Sequence, residues 1–554
     1  MRVALAQIET AVGDFARNAR AIVAALSEAK SAGARLVVFP ELAVCGYPPL
    51  DLLLEPGFVE ENRRVLEREI LPATRGIAAA VGFVDEDRIR ATPEGHPVLR
   101  NAAAILEDGA LVGVAHKSLL PEYDVFFERR YFAPAAERAP LPVAGATVGF
   151  EICEDMWDDA YDCKVSRILA RQGAALLANL SASPFHAGKG EARLEVARVR
   201  AREAGLPLLY VNAVGSEDGW EGMLVFDGGS FAVDRRGELF AAAARFEPEI
   251  LLLDVDLETG EAPPVEPPRL RREEEVARAL ALGIRVYSAR NGFSKTVLGL
   301  SGGIDSAVTA CLAAEALGPR NVLALSLPSR FSSERGTRDA ASLAQALGIE
   351  LRRVPIEGPF RAVEEALGPT LEGPEGELPR ENVQARLRGL VLMAVSNREG
   401  RLLLTTGNKT EVALGYCTLY GDMAGGLAPL SDVSKSEVYA LGRLFNERAG
   451  RALIPESIFA AEPSPELRPD HREPFDYAIV SPLVDAIVER RASPEELVAE
   501  GYPPAVVEDC FRRIARAEYK RRQAPPGIKV TGKAFGVGRR IPIAHPFRPF
   551  RAPR

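Results

Sequence analysis

Short runs of continuous apolar residues alternate along this chain with longer stretches in which apolar residues recur every three or four positions. Residues 3–8 and 35–39 are runs of the first kind and read as strands. Between them Phe15, Ala19, Ile22, Val23 and Leu26 fall on one side of a helix predicted over 14–32. Further strands are predicted at 77–84, 102–106, 111–115 and 147–152, with Asp108-Gly109 as the turn of a hairpin. Strands at 174–179, 207–214 and 250–255, a helix at 192–204 and a hairpin near Asp227-Gly228 complete the first half. The run Pro-Pro-Val-Glu-Pro-Pro at 263–268 breaks every period and reads as a stiff linker. The expected organisation is a first domain over 1–262, a linker over 263–272 and a second domain over 273–554. In that second domain a helix at 273–290 precedes strand 296–298, helix 304–317, strand 321–327, helix 336–347 and strand 350–355. With a buried strand at 402–404, this alternation predicts an α/β, doubly wound parallel sheet. The two halves share no motif, so no internal repeat is expected.

Composition narrows the classes. The chain has 554 residues, 47% hydrophobic and 26% charged, with a formal net charge of −9. That charge disfavours a nucleic-acid-binding surface, and no apolar run is long enough for a bilayer span, so the expected location is cytoplasmic. Six scattered cysteines without a Cys-x-x-Cys pair argue against a disulfide framework and a zinc site. Ten lysines stand against 58 arginines, so a lysine marks a position that needs a compact ammonium.

Residues 299–306 read Gly299, Leu300, Ser301, Gly302, Gly303, Ile304, Asp305 and Ser306, between an apolar run and a helical pattern. Strand, small-residue loop and helix start form an anion site, with backbone N–H groups aimed at the anion and the hydroxyls of Ser301 and Ser306 as added donors. No Gly-Lys-Ser/Thr follows, so this is not a Walker A loop. Asp305 beside a polyphosphate makes sense when Mg²⁺ lies between them. The string resembles the PP-loop of the ATP pyrophosphatases, which implies ATP as co-substrate, cleaved to AMP and diphosphate.

In the first half, the ends of three strands deliver Glu41, Lys117 and Cys153. A thiol nucleophile needs a base for its proton and a cation for the developing oxyanion, and this set supplies both without histidine. Phe39-Pro40-Glu41, Lys117 followed by Leu119 and Pro121, and Glu151-Ile152-Cys153-Glu154-Asp155 resemble the Glu-Lys-Cys triad of the nitrilase superfamily. The resemblance spans roughly residues 1–260 and implies an αββα sandwich hydrolysing a carbon–nitrogen bond through a thioester. Glu128 is similar to an extra glutamate beside that triad, and Tyr123, Ser183 and Lys189 to residues that hold glutamine in glutaminase members.

The second half adds Asn382 at the start of a helix, Thr405-Thr406-Gly407-Asn408-Lys409-Thr410-Glu411, then Lys435 and Lys520. Together with the PP-loop these resemble the NAD synthetases, and with a nitrilase-type domain in front the whole chain resembles the glutamine-dependent members. The resemblance implies amidation of deamido-NAD with ammonia drawn from L-glutamine, giving AMP, diphosphate and glutamate. Thr406 and Lys435 would contact ATP; Asn382, Glu411 and Lys520 would contact deamido-NAD; Asp305 would be a Mg²⁺ ligand, and Glu411 is open between that metal and the dinucleotide. Single-domain relatives carry Lys where this chain has Leu419, so contacts there are not carried over. A homo-oligomer with small-molecule substrates, and neither nucleic acid nor membrane as partner, completes the expectation. Two rivals stay open: an amidotransferase of the same ATP pyrophosphatase class acting on another carboxylate, and a non-catalytic scaffold. Residues 459–475, rich in Pro and charge, read equally as a lid or a surface loop.

Overall fold

The computed structural model describes residues 1–91, 97–267, 269–469 and 471–547; residues 268 and 470, in the predicted linker and loop, lie outside them. The chain divides into two compact units, residues 1–219 with 224–270, and residues 220–223 with 271–554.

The first unit is built on two six-stranded sheets. One contains β1 (Arg2–Gln7), β2 (Leu36–Val38), β3 (Ala78–Ala91), β4 (Pro97–Glu107) and β5 (Ala110–His116). The other contains β6 (Leu141–Val143), β7 (Ala146–Ile152), β8 (Leu176–Ser181) and β9 (Leu208–Asn212). After β10 (Val214–Asp218) and β11 (Gly222–Asp227) come β12 (Phe231–Val233), β13 (Leu239–Ala242) and β14 (Glu249–Asp254). The sheet orders are β14-β1-β2-β3-β4-β5 and β13-β12-β9-β8-β7-β6. Continuous apolar runs are needed because each central strand is covered on both faces. Val3 and Leu5 of β1 point at Val148, Phe150, Leu176 and Leu209 of the facing sheet, whereas Ala4 and Ala6 meet Ile22 and Leu26 of the helix Phe15–Ser31. Leu177 and Leu208 likewise turn outward to Val165 and Ala197 of the helices Val165–Arg171 and Lys189–Ala204. Helix, sheet, sheet and helix are thus stacked as the αββα sandwich expected.

Two elements differ from the sequence reading. The hairpin β3–β4 runs well past the apolar stretch, pairing Asp85 with Arg100 and Glu86 with Leu99, because the antiparallel ladder is held by backbone bonds that polar residues make equally well. The helix predicted at 192–204 begins at Lys189, after Gly188 at φ 82°, so Lys189 is helical.

In the second unit β15 (Thr296–Gly299), β16 (Val322–Ser326), β17 (Glu350–Arg353) and β18 (Leu402–Leu404) form a parallel sheet in the order β17-β16-β15-β18. The chain winds one way from β15 through β16 to β17 and then crosses to the other side of β15. That reversal leaves a crevice beyond the carboxyl ends of β15 and β18, where open α/β sheets bind ligands. Val297, Leu323, Leu325 and Leu403 pack under Leu387, Val391 and Val395 of the helix Glu377–Glu399. That helix starts five residues before Asn382, which therefore lies within it and not at its beginning. Among the described residues, no helix is long and apolar enough to cross a membrane.

Candidate active sites

In the first unit the ends of β2, β5 and β7 bring Glu41, Lys117 and Cys153 together. The turn carrying Glu41 lies directly on β3: a Cβ at Gly82 would stand 2.3 Å from both the Pro40 oxygen and the Leu42 nitrogen, so no other residue fits there. Lys117 is fully buried, with its Nζ 2.7 Å from Glu41 Oε1 and 2.7 Å from Glu128 Oε1. Burial works to lower the Lys117 pKa, but the fields of Glu128 and Glu41 outweigh it and hold the ammonium charged. Burial also pushes the Glu128 carboxyl up, against the pull of Lys117.

Three groups fix the carboxylates. Asn101 Nδ2 donates to Glu41 Oε1 at 2.7 Å and to Glu128 Oε2 at 3.4 Å, the Tyr47 hydroxyl donates to Glu128 Oε1 at 3.0 Å, and the Ala182 N–H donates to Glu41 Oε2 at 3.0 Å. Cys153 immediately follows β7 and sits at φ 47°, a left-handed conformation costly for a residue with a Cβ. Its thiol is held well above the ordinary range by burial, with Glu41 adding to the shift and Lys117 opposing it. A protonated thiol next to a carboxylate is a nucleophile that forms only as its proton leaves.

The strained turn is anchored by Asp155. Its Oδ1 accepts the N–H groups of Ser118 and Leu119, each at 2.8 Å, and its Oδ2 accepts that of Ile152 at 3.0 Å. One carboxylate thus ties the turn of Cys153 to the segment just after Lys117. Asp155→Asn replaces one acceptor oxygen by an amide donor, leaving a buried N–H unpaired at a cost of about 1–3 kcal/mol. For the reaction that the sequence resemblance implies, glutamine-driven turnover is expected to fall about tenfold or more and ammonium-driven turnover to stay near normal. Steady-state rates with the two nitrogen sources check this, and an equal fall in both would refute it.

The expected glutamine ligands surround this centre. The exposed Tyr123 hydroxyl donates to Glu154 Oε2 at 3.0 Å, and Tyr161 donates to the same carboxylate at 3.0 Å. Ser183 lies two residues past β8, next to the Ala182 N–H that binds Glu41. Lys189 Nζ donates to the Pro184 carbonyl at 2.9 Å.

In the second unit the loop after β15 enters the helix Ile304–Leu317 through Gly302, at φ 85°, where a Cβ would lie 2.2 Å from the Gly336 oxygen. The Ser306 hydroxyl donates to the Gly303 carbonyl at 2.9 Å, and Ser301 Oγ accepts the Gly303 N–H at 3.2 Å. Both hydroxyls shape the loop. At the crevice Asp305 Oδ2 accepts Lys435 Nζ at 2.6 Å and Asp305 Oδ1 accepts Asn408 Nδ2 at 2.8 Å. Lys435 also reaches Glu411 Oε1 at 3.3 Å. Burial opposes the charge on Lys435, but Asp305, Glu411 and Glu473 raise its pKa well above the ordinary value. Burial pushes the Glu411 carboxyl up. Half-buried Thr406 lies on the same loop as Asn408.

Asn382, Glu411 and Lys520 are linked through residues 411–418. Thr418 Oγ1 donates to Asn382 Oδ1 at 2.7 Å, and Lys520 Nζ donates to the carbonyls of Gly415 and Cys417 at 2.8 and 2.6 Å. Arg386, one helical turn beyond Asn382, and Gln523, three residues past Lys520, line an open cavity of about 550 Å³ together with Met393 and Tyr420 among others. In the loop that follows Ala460, Glu466 accepts the Ser333 N–H at 2.9 Å, and the Leu467 carbonyl accepts Gln384 Nε2 at 2.7 Å. Glu473 of this loop receives the Tyr477 hydroxyl, and the Lys435 ammonium lies 5.1 Å from the Tyr477 ring centre.

Sequence reasoning missed Tyr47, Asn101, Asn408 and Glu473 as neighbours of these sites, and also the role of Lys409. The last is fully buried, with carboxylate oxygens of Glu489, Asp485 and Asp432 at 2.7, 3.0 and 3.7 Å. Asp432 in turn accepts the N–H groups of Val530 and Thr531 at 2.8 Å each. The scarcity of lysine was a usable signal for it. Lys409→Met leaves these carboxylates without their cation, and we expect a loss of about 3 kcal/mol or more in stability. Urea unfolding of the variant measures it; an unchanged midpoint would refute the buried-cation account.

A family model described as carbon-nitrogen hydrolase matches residues 2–263, and one described as NAD synthase matches residues 276–524. The glutamine-dependent NAD(+) synthetase of Synechocystis sp. is 42% identical over 562 residues, covering 99% of each chain. That of Thermotoga maritima is 40% identical over 586 residues, again covering 99% of each. The solved structure of the Acinetobacter baumannii glutamine-dependent NAD+ synthetase in complex with ADP superposes with a TM-score of 0.76 at 33% identity, over 98% of both chains. Similarity of that extent covers both units, and the chain belongs to the family of glutamine-dependent NAD(+) synthetases.

Proposed function

We propose that Cys153 releases ammonia from L-glutamine and that the second unit uses ATP to convert the nicotinate carboxylate of deamido-NAD into the amide of NAD. As the Cys153 sulfur bonds to the side-chain amide carbon, the thiol proton passes to Glu41 and Lys117 faces the developing oxyanion. Glu41 returns the proton to the leaving nitrogen, ammonia departs, and water, deprotonated by Glu41, opens the thioester to glutamate. Glu128, with Tyr47 and Asn101, keeps Lys117 aimed. Tyr123, Ser183 and Lys189 hold the amino acid end of glutamine.

At the second site the loop 299–306 with Thr406 and Lys435 binds ATP, and Asn382, Glu411 and Lys520 bind deamido-NAD beside the open cavity, whose volume suits part of a dinucleotide. The carboxylate attacks the α-phosphorus, diphosphate leaves, and ammonia then displaces AMP. Among the described residues no group of three or more His, Cys, Asp or Glu side chains is arranged to hold a metal. Asp305 and Glu411 do share one cation, Lys435, next to the phosphate loop. Two carboxylates fit Mg²⁺, which commonly takes one or two from the protein and the rest of its shell from phosphates and water. When bound there, Mg²⁺ would neutralise charge on the diphosphate; the chain's own part is to align the two reactants. A homo-oligomer acting in the cytoplasm belongs to the same reading.

The observation that carries the proposal is the Lys117 ammonium held 2.7 Å from each of two buried carboxylates beside Cys153, in a chain that also carries the Asp305–Lys435 crevice. Incubation with ATP, glutamine and deamido-NAD should yield NAD, AMP and diphosphate in equal amounts. Absence of NAD with both glutamine and ammonium would overturn it, and AMP formation with a different acid would identify another amidotransferase.

A further inference from the structure

Behind Ser183 the first unit buries a guanidinium that the reaction described above does not use. Arg193 lies one helical turn beyond Lys189 on Lys189–Ala204, so both side chains leave the same face of that helix. Lys189 holds the Pro184 carbonyl. Arg193, 1% exposed, donates from Nε to Ser183 Oγ at 3.3 Å and from Nη2 to the Ser183 and Pro184 carbonyls at 2.8 and 3.3 Å. Its Nη1 donates to Asp227 Oδ1 at 2.7 Å, while the other Asp227 oxygen accepts Arg245 at 2.8 Å. The Ser183 N–H is fixed separately by Asn212 Oδ1 at 2.8 Å.

A serine hydroxyl both donates and accepts, but a guanidinium only donates. With Arg193 Nε pointed at its oxygen, Ser183 has to accept there, and its own O–H is left to donate away from Arg193. The guanidinium touches Ser183 Oγ on one side and Asp227 on the other, so the charge directly against the hydroxyl is positive and favours an anion as its acceptor. Of the two ends of glutamine, the side-chain amide must reach Cys153, and the α-carboxylate is the anionic group at the other end.

We propose that Arg193 is a positioning residue for substrate selection: it sets the Ser183 hydroxyl as a donor to the α-carboxylate of L-glutamine and so makes a free carboxylate a requirement of the amidase site. The inference rests on the reading of Ser183 as a glutamine ligand. It accounts for a buried Arg in place of a packed apolar side chain, since a fork is needed to grip the hydroxyl, two carbonyls and Asp227 together.

The test compares L-glutamine with its α-carboxamide, L-glutamine amide, in the full chain, reading ammonia release. Arg193→Met should raise KM for L-glutamine about tenfold with kcat changed less than about threefold, the pattern of lost ground-state binding. KM for the carboxamide should stay unchanged, so the preference for the free carboxylate collapses; Arg193→Lys, which keeps the charge, should recover part of it. In a Ser183→Ala background Arg193→Met should add little, because residues acting as one unit are not additive. If Arg193→Met is inactive on both substrates, Arg193→Lys decides: a KM raised for L-glutamine but not for the carboxamide supports the inference, and KM raised equally for both overturns it. Equal losses on both substrates in Arg193→Met with an unchanged KM also overturn it. An unchanged KM in Ser183→Ala alone would instead remove the reading of Ser183 on which the inference stands.

Discussion

Cys153→Ala is expected to stop NAD formation from glutamine, lowering it by roughly four orders of magnitude or more, as loss of a covalent nucleophile does. NAD formation from added ammonium should remain within about twofold of normal, because the residues assigned to ATP and deamido-NAD belong to the second unit. Alanine matches the site: Cys153 is buried, and the turn is held by Asp155 through backbone N–H groups that alanine keeps. The φ of 47° costs alanine no more than it costs cysteine. The measurement is steady-state NAD formation with each nitrogen source on one preparation. A folded variant that has lost both activities would refute the division of labour, and one that still uses glutamine would show that another group attacks the amide.

The strands and helices that position these sites were legible where packing alone decides them. The helix Ile304–Leu317 falls on its predicted span, and β18 is Leu402–Leu404 as read, because each is buried over most of its length and punctuated by glycine or polar residues. Glu41, Lys117 and Cys153, which the structure brings together, each follow an apolar run, and that much was legible. What holds them in place was not. Asn101 serves Glu41 and Glu128 from across 60 and 27 positions, and Tyr47 reaches Glu128 across 81. A polar residue inside or beside a strand carries no mark of which distant carboxylate it will meet. Asp155 stood in the nucleophile's motif, yet its function as an acceptor for Ser118 and Leu119 depends on two strands meeting from different sheets. The contact of the Ser306 hydroxyl with the Gly303 carbonyl, too, depends on the path of the loop and not on residue type.

Asp305→Asn is expected to reduce NAD formation from glutamine and from ammonium alike by about a thousandfold, the scale seen when a charge-stabilising group is lost from a reacting phosphate or oxyanion site. The carboxylate occupies the first turn of Ile304–Leu317, where the helix N-terminus favours anions, and it is the shorter of the two contacts to Lys435, at 2.6 Å against 3.3 Å for Glu411. An amide at 305 keeps the size but removes the charge that holds Lys435, and it offers a poor oxygen to a divalent cation. Lys435, released toward Glu411, would no longer stand opposite the phosphate loop, so both the alignment of ATP and the place proposed for Mg²⁺ are lost together. ATP binding measured by calorimetry with and without Mg²⁺ separates these effects. A variant whose ATP affinity no longer responds to Mg²⁺ supports Asp305 as a ligand. One that binds ATP in the wild-type, Mg²⁺-dependent way but does not turn over would place the defect in Lys435 alone. Near-normal turnover with ammonium would remove Asp305 from the mechanism.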